Sequence, residues 1–219
     1  MKGQHTTYVF FDETSDACKA GFEFLRKHAP DVAIRKCSRW DDAAVELMLT
    51  NTIADEGFII SKQKSRLVIA GGSILGLLYG VGQLLRCGLQ TVKNGKYVPK
   101  KTVRGMYFAN HFHNYYHSAP LENICDYIED MVLWGCNTIC LWFDMHHFAS
   151  INDPAAKQML NRMHTIYGYA KQMGLKTCLM FLANEYYADS PQELRAENST
   201  ESGLYHDRLC GFYNLELCP

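Results

Sequence analysis

A helix–glycine–strand pattern occurs twice in the second half of the chain, and it limits the fold more than any other feature. Pro120 to Trp134 places Leu121, Ile124, Cys125, Ile128, Met131 and Val132 on one side of a helical projection. Glu122, Asp126, Glu129 and Asp130 fall on the other, water-facing side. Gly135 follows as a helix stop, and Thr138 to Phe143 is a continuous apolar run. Asp153-Pro154 then opens a second helix, an N-cap followed by proline at the first helical position. It extends to about Met173 with Leu160, Met163, Tyr167 and Ala170 on one face; Gly174 ends it, and Thr177 to Leu182 is again apolar. Gly135-Cys136-Asn137-Thr138 and Gly174-Leu175-Lys176-Thr177 occupy equivalent places 39 positions apart. Continuous rather than alternating apolar runs mark strands buried on both faces, so the pattern predicts βαβ units around a parallel sheet.

Val103 to Ala109 supplies a preceding strand, which makes about three βα units. A closed (β/α)8 barrel takes roughly 250 residues, and 117 follow Thr102. The expectation is the N-terminal part of such a barrel, with a small open α/β sheet as the other solution. The barrel is preferred because the chain stops at Cys218-Pro219 without a terminating helix. An uncovered sheet edge is expected to follow.

The first half has a different chemistry. Residues 1–102 carry 15 Lys and Arg against 10 Asp and Glu, whereas residues 103–219 carry 7 against 13 and hold seven of the nine histidines. This asymmetry predicts two domains, 1–102 and 103–219. Thr6 to Phe11 reads as a strand. Asp12 or Thr14 caps a helix whose apolar face is Ala17, Cys18, Phe22 and Leu25. Val32 to Cys37 and Val45 to Thr50 are further strands, and Glu56 to Ile60 with Arg66 to Ala70 is a hairpin. Gly71-Gly72-Ser73 leads into a helix from Ile74 to Cys87. Gly72, Gly76 and Gly80 recur every four residues, which points to close packing rather than a phosphate loop. Gln90 to Lys101 is polar and basic, with Asn94-Gly95 as a turn, and reads as the linker.

The formal net charge of −1 gives no electrostatic case for nucleic acid or an anionic membrane. Leu67 to Leu85 is apolar, but Gly71-Gly72 interrupts it, so no transmembrane segment is expected. Nine cysteines without a C-x-x-C pair, and an N-terminus without an apolar leader, fit a reducing, cytoplasmic setting unless a signal peptide has been trimmed away.

In parallel α/β folds, function gathers at the carboxyl ends of the strands. After the first strand come Asn110, His111, His113, Asn114, Tyr115 and Tyr116. After the second come Trp142, Asp144, His146 and His147, and after the third Asn184, Glu185, Tyr186 and Tyr187. Polar groups interleaved with aromatics suit a sugar, with its apolar faces and rim of hydroxyls. Asn110, His111, His113, Trp142, Asp144, His146, Asn184 and Glu185 are the candidate substrate-binding set.

Glu56-Gly57-Phe58, Leu67-Val68-Ile69, Gly76-Leu77-Leu78-Tyr79-Gly80 and Gln83-Leu84-Leu85 together resemble the small α+β sandwich domain that precedes the catalytic barrel in several glycoside hydrolases. These include the family 20 beta-hexosaminidases, the family 84 enzymes and the family 67 alpha-glucuronidases. In those proteins an Arg-Gly opens the first barrel strand, and Arg104-Gly105 stands in that place. The resemblance covers about residues 1–185. It implies a glycosidase acting on a carbohydrate, without a cofactor or bound metal. Its catalytic carboxylates come from the fourth strand or later, beyond residue 219, so that the present chain alone is inactive. Family 20 enzymes hold the sugar with an Asp and an Arg soon after that Arg-Gly; Ala109 and Phe112 occupy the matching positions, so a hexosaminidase substrate does not follow.

Two other readings remain open on the residues alone. His111-Phe112-His113 puts two imidazoles on one side of an extended strand, as in metal-dependent amidohydrolases, with Asp144, His146, His147 and Glu185 as further ligands. A non-catalytic carbohydrate-binding module is the other.

Overall fold

The computed structural model describes residues 6–63, 65–110, 114–181 and 185–191, with only the backbone of His146. The chain forms two compact units. The first gathers the described residues up to Arg104 together with Tyr127–Asn137 and Gln172–Leu175. The second gathers Gly105–Asp126, Thr138–Lys171 and the described residues from Lys176 onward.

The first unit is built on a six-stranded sheet. Its strands are β1 (Thr6–Phe11), β2 (Ala33–Lys36), β3 (Val45–Leu49), β4 (Phe58–Gln63), β5 (Arg66–Gly71) and β6 (Gly95–Tyr97), in spatial order β2-β1-β3-β5-β4-β6. β2, β1, β3 and β5 run parallel; β4 pairs antiparallel with β5 and β6. Helices α1 (Asp16–His28) and α2 (Ile74–Cys87) pack against each other and against the sheet. Val9 and Phe11 of β1 and Val45 and Leu47 of β3 are buried at every second position, as a sheet with one covered face requires.

Two local expectations change, and the packing read for the α2 glycines holds. The N-cap of α1 is Ser15, which accepts from the Cys18 amide. Asp12 instead accepts from the Thr14 amide and hydroxyl, closing a turn ahead of the helix. The segment read as a linker contains β6, an edge strand whose Tyr97 ring stacks on Phe58 with centroids 4.7 Å apart. The Asn94 side chain accepts from the Lys62 amide beside it. Polar, basic composition suits such an edge. The glycine face of α2 is a packing surface: a Cβ at Gly76 would overlap the Gly57 carbonyl oxygen, and one at Gly80 would overlap Ile69.

The second-unit strands β7 (Gly105–Phe108), β8 (Thr138–Trp142) and β9 (Lys176–Met180) form a parallel sheet in that order. Tyr107, Cys140 and Cys178 stand in register across it. Helices α3 (Tyr115–Ser118) and α4 (Leu121–Leu133) follow β7 in the chain, and α5 (Pro154–Gln172) lies between β8 and β9. Gly135 (φ 97°) and Gly174 (φ 85°) both take the left-handed conformation just after a helix, where a side chain would be strained. The strands are not buried on both faces. Phe108, Ile139 and Leu141 are fully enclosed, but Thr138, Cys140 and Trp142 are half-buried and Leu179 is 52% exposed. Among the described residues the face carrying Tyr107, Cys140 and Cys178 is only partly covered, and the enclosed face opens at β9, where exposed Leu179 stands in register with Leu141. No helix among the described residues is long and apolar enough to cross a membrane.

Glu129 is a further correction. It is buried rather than water-facing, because α1 ends against it: its Oε2 accepts from Lys27 Nζ at 2.8 Å and pairs with His28 Nε2 at 2.7 Å.

Arg104 organises the first unit. Its guanidinium bonds Glu56, donates to the Tyr79 hydroxyl at 3.0 Å and to the Gly135 carbonyl at 2.7 Å, and also reaches the Lys101 carbonyl. The Arg104 amide donates to Asn137 Oδ1 at 2.9 Å. Asn137, fully buried, donates its own Nδ2 to the Thr102 carbonyl at 2.8 Å and to the Glu56 carboxylate. The Tyr79 hydroxyl in turn donates to the Cys136 carbonyl at 2.8 Å. Burial opposes the Arg104 charge, but the bonds to Glu56 and Tyr79 outweigh it and hold the guanidinium above its ordinary pKa. Burial pushes Tyr79 up to about 12 despite the Arg104 charge beside it.

Tyr79→Phe leaves the Cys136 carbonyl without its donor and is expected to cost about 1–3 kcal/mol in denaturant titration. A phenol whose folded pKa is raised stabilises the fold below its unfolded pKa, and that stability is lost as the pH climbs from 10 toward 12. The wild-type protein therefore weakens across this window, and Tyr79→Phe is expected to flatten the decline.

Candidate functional site

The ends of β7, β8 and the segment after β9 are joined by side-chain hydrogen bonds. Asn110, two residues past β7, is 2% exposed. Its Oδ1 accepts from the Trp142 amide at 3.1 Å, and its Nδ2 lies 3.6 Å from Met159 Sδ on α5. Trp142, the last residue of β8, donates its indole Nε1 to Glu185 Oε2 at 3.0 Å. Glu185 Oε1 accepts from the Met145 amide at 2.7 Å. Thus one carboxylate fixes both the indole and the start of the Met145–His147 turn that follows β8. The backbone continues the match, with the Ala188 and Asp189 amides donating to the Phe148 and Ala149 carbonyls.

Asp144 is also buried, and His147 Nε2 stands 3.4 Å from its Oδ2. The His117 ring lies 6.0 Å from the His147 ring. Aromatics fill the spaces between: Phe143 stacks on Phe148 at 5.3 Å, Tyr187 tilts against Phe143, and Phe108 stacks on Tyr116 at 4.3 Å. Of the candidate residues, Asn110, Trp142, Asp144 and Glu185 therefore come together. His111, His113, Asn184 and the His146 side chain lie outside the described residues.

Sequence reasoning missed several participants. Arg162 on α5 donates to the Tyr116 and Ala119 carbonyls at 3.0 and 2.6 Å, pinning the turn that carries His117. Both residues line a groove of about 560 Å3 with Leu121, Phe148 and Met159. Met159 was legible only as the residue four before Met163 on a helix face; its contact with Asn110 is 49 positions away and leaves no local trace. Tyr107 was also missed. Burial, then the Cys140, Asp144 and Glu185 charges, push its hydroxyl up to about 12.

At neutral pH the site offers neutral hydroxyls, an indole face and imidazoles. Cys140 is no nucleophile there, because burial and Cys178 beside it push its thiol up to about 11. Among the described residues no group of three or more His, Cys, Asp or Glu side chains could hold a metal ion. His111 and His113, whose spacing suggested one, are not among them.

Glu185→Ala would strand two half-buried N–H donors. It is expected to cost about 2–4 kcal/mol of stability, to shift the Trp142 indole resonance and to accelerate amide exchange at Met145. Unchanged exchange at Met145 would mean that the carboxylate does not hold this turn.

No family model matches the sequence, and no curated protein matches it. Solved structures do. A beta-N-acetylhexosaminidase from Bacteroides fragilis NCTC 9343 superposes with a TM-score of 0.65 at 13% identity, over 85% of this chain and 42% of its own. A GH20 exo beta-N-acetylglucosaminidase from Vibrio harveyi gives 0.65 at 13% identity, over 99% of this chain and 39% of its own. A GH138 enzyme targeting pectin rhamnogalacturonan II gives 0.63 at 15% identity, over 81% and 31%. The chain thus spans less than half the length of each, and over most of its own length it has the α/β fold found in these glycoside hydrolases.

Proposed function

We propose that the protein is the N-terminal part of a glycoside hydrolase, with residues 1–102 as an accessory α+β domain and 103–219 as the first three βα units of a (β/α)8 catalytic barrel. The strand ends form the sugar-facing side. Trp142 presents its indole to a sugar ring, with Glu185 and the Asn110 side chain as positioning groups that hold it. His111, His113, His146 and Asn184 complete a rim that exchanges hydrogen bonds with hydroxyls, with buried Asp144 beneath it.

The observation that supports this reading is the set of bonds from Asn110 and Glu185 to Trp142, which joins three strand ends in a fold shared with glycosidases. Hydrolysis needs two carboxyl groups about 5–10 Å apart, one of them able to give up a proton. Asp144 and Glu185 are both buried, and both Glu185 oxygens accept backbone or indole N–H bonds. In this reading they shape the site, and the acid/base pair comes from outside these 219 residues. Ala109 and Phe112 stand where the family 20 pattern has its sugar-holding Asp and Arg, so an N-acetylhexosaminide does not follow and the proposal is a glycan of unspecified sugar.

Saturation-transfer NMR against a panel of neutral and N-acetylated hexoses tests it. Binding at roughly millimolar strength is expected, weak as one stacked ring implies. Trp142→Ala should abolish it while the amide spectrum stays dispersed. Silence across the panel, or binding indifferent to Trp142, would overturn the proposal.

A further inference from the structure

A second surface, made entirely of first-unit residues, has the chemistry of a ligand site. A groove of about 410 Å3 is lined by Tyr79, Gln83, Arg86, Lys96, Tyr97 and Trp134, among others. That volume lies within the range of small-ligand pockets.

Trp134 is 74% exposed. The Arg86 guanidinium lies over its ring at 4.8 Å, yet this covers one face only, and the remaining exposure leaves the other open to solvent. A large apolar ring held by a cation on one side and bare on the other is an unusual use of tryptophan at a surface.

Arg86 is itself incompletely satisfied as a charge. It bonds the Leu133 carbonyl and the Gln83 side-chain oxygen, both uncharged. Among the described residues no carboxylate pairs with it, and none of those lining the groove is acidic. Burial holds its guanidinium below the ordinary arginine range, the mark of a cation partly withdrawn from water without an anion in return. Lys96, at the same groove, meets only the Thr52 carbonyl among the described residues, at 3.5 Å. The surrounding residues 1–102 carry the basic excess of the chain.

The geometry points to a binding site for an acidic saccharide, a uronic-acid-containing oligosaccharide in which one pyranose stacks on the open face of Trp134 and the carboxylate of an adjoining unit passes the ring edge to Arg86, with Lys96 in support. The indole fits the apolar face of a sugar ring, and a planar guanidinium fits a carboxylate in a two-point contact. None of its residues belongs to the strand-end cluster, so the site goes beyond the proposed catalytic reading and stands or falls separately.

Three tryptophans give three indole N–H resonances, and Trp134→Phe identifies the relevant one by its loss. Titration with trigalacturonate is expected to move the Trp134 resonance saturably and to leave Trp40 and Trp142 in place. Neutral galactotriose at the same concentrations should leave the Trp134 resonance in place. Arg86→Gln should weaken binding by about tenfold or more, as for the loss of a charge-assisted contact. Should that variant not fold, raising the salt to about 1 M, where screening acts within about 3 Å, gives the same test on the wild-type protein by weakening the binding. The proposal is overturned if the Trp134 resonance does not move, if the neutral trisaccharide moves it equally, or if binding is indifferent to Arg86 and to salt. A response of Trp142 to neutral hexoses with a silent Trp134 would leave the strand-end reading standing and remove this one.

Discussion

The Arg104 guanidinium is the point on which the first unit depends. It bonds the loop that precedes β4 through Glu56, helix α2 through Tyr79, its own approach segment through the Lys101 carbonyl, and the stop after α4 through the Gly135 carbonyl. Asn137 closes the same ring from the other side, with bonds to Arg104, Thr102 and Glu56. Withdrawing a guanidinium from water is costly, and the cost is offset only when its donors are met. Here several chain segments meet them at once, so no one segment can shift without stranding a buried polar group.

This network separates what was legible in the sequence from what was not. Glu56-Gly57, Tyr79-Gly80 and Arg104-Gly105 stood out as pieces of a pattern, yet nothing in their spacing says that Glu56 and Tyr79 bond one guanidinium. Contacts across 48 and 25 positions leave no periodic trace. Helices and strands, by contrast, are local. Helices α4 and α5 and the glycines that end them follow from apolar spacing and from left-handed φ at Gly135 and Gly174. The departures have different causes. A helical projection turns Glu129 toward water, although the last turn of α1 covers it; the polar composition of β6 reads as linker, although an edge strand needs no apolar alternation.

The strand-end cluster shows the same division. That polar and aromatic residues gather past each strand was readable, since chain order alone places them there. Their division of labour was not. Asn110 and Glu185 read as groups for sugar hydroxyls, but they are buried and spend their bonds on Trp142 and Met145. Such rigid support is what a stacking platform requires, because an indole free to rotate loses binding strength to the entropy of ordering it. Arg162 does the equivalent for the turn bearing His117.

The central claim is that sugar is held at the tips of β7, β8 and β9. It is tested most directly by a crystal structure of the protein soaked with a neutral hexose or N-acetylglucosamine. The account predicts ring density against the Trp142 indole, with Glu185 still bonded to Nε1. Sugar bound only elsewhere, or a bare Trp142 at saturating concentration, would contradict it.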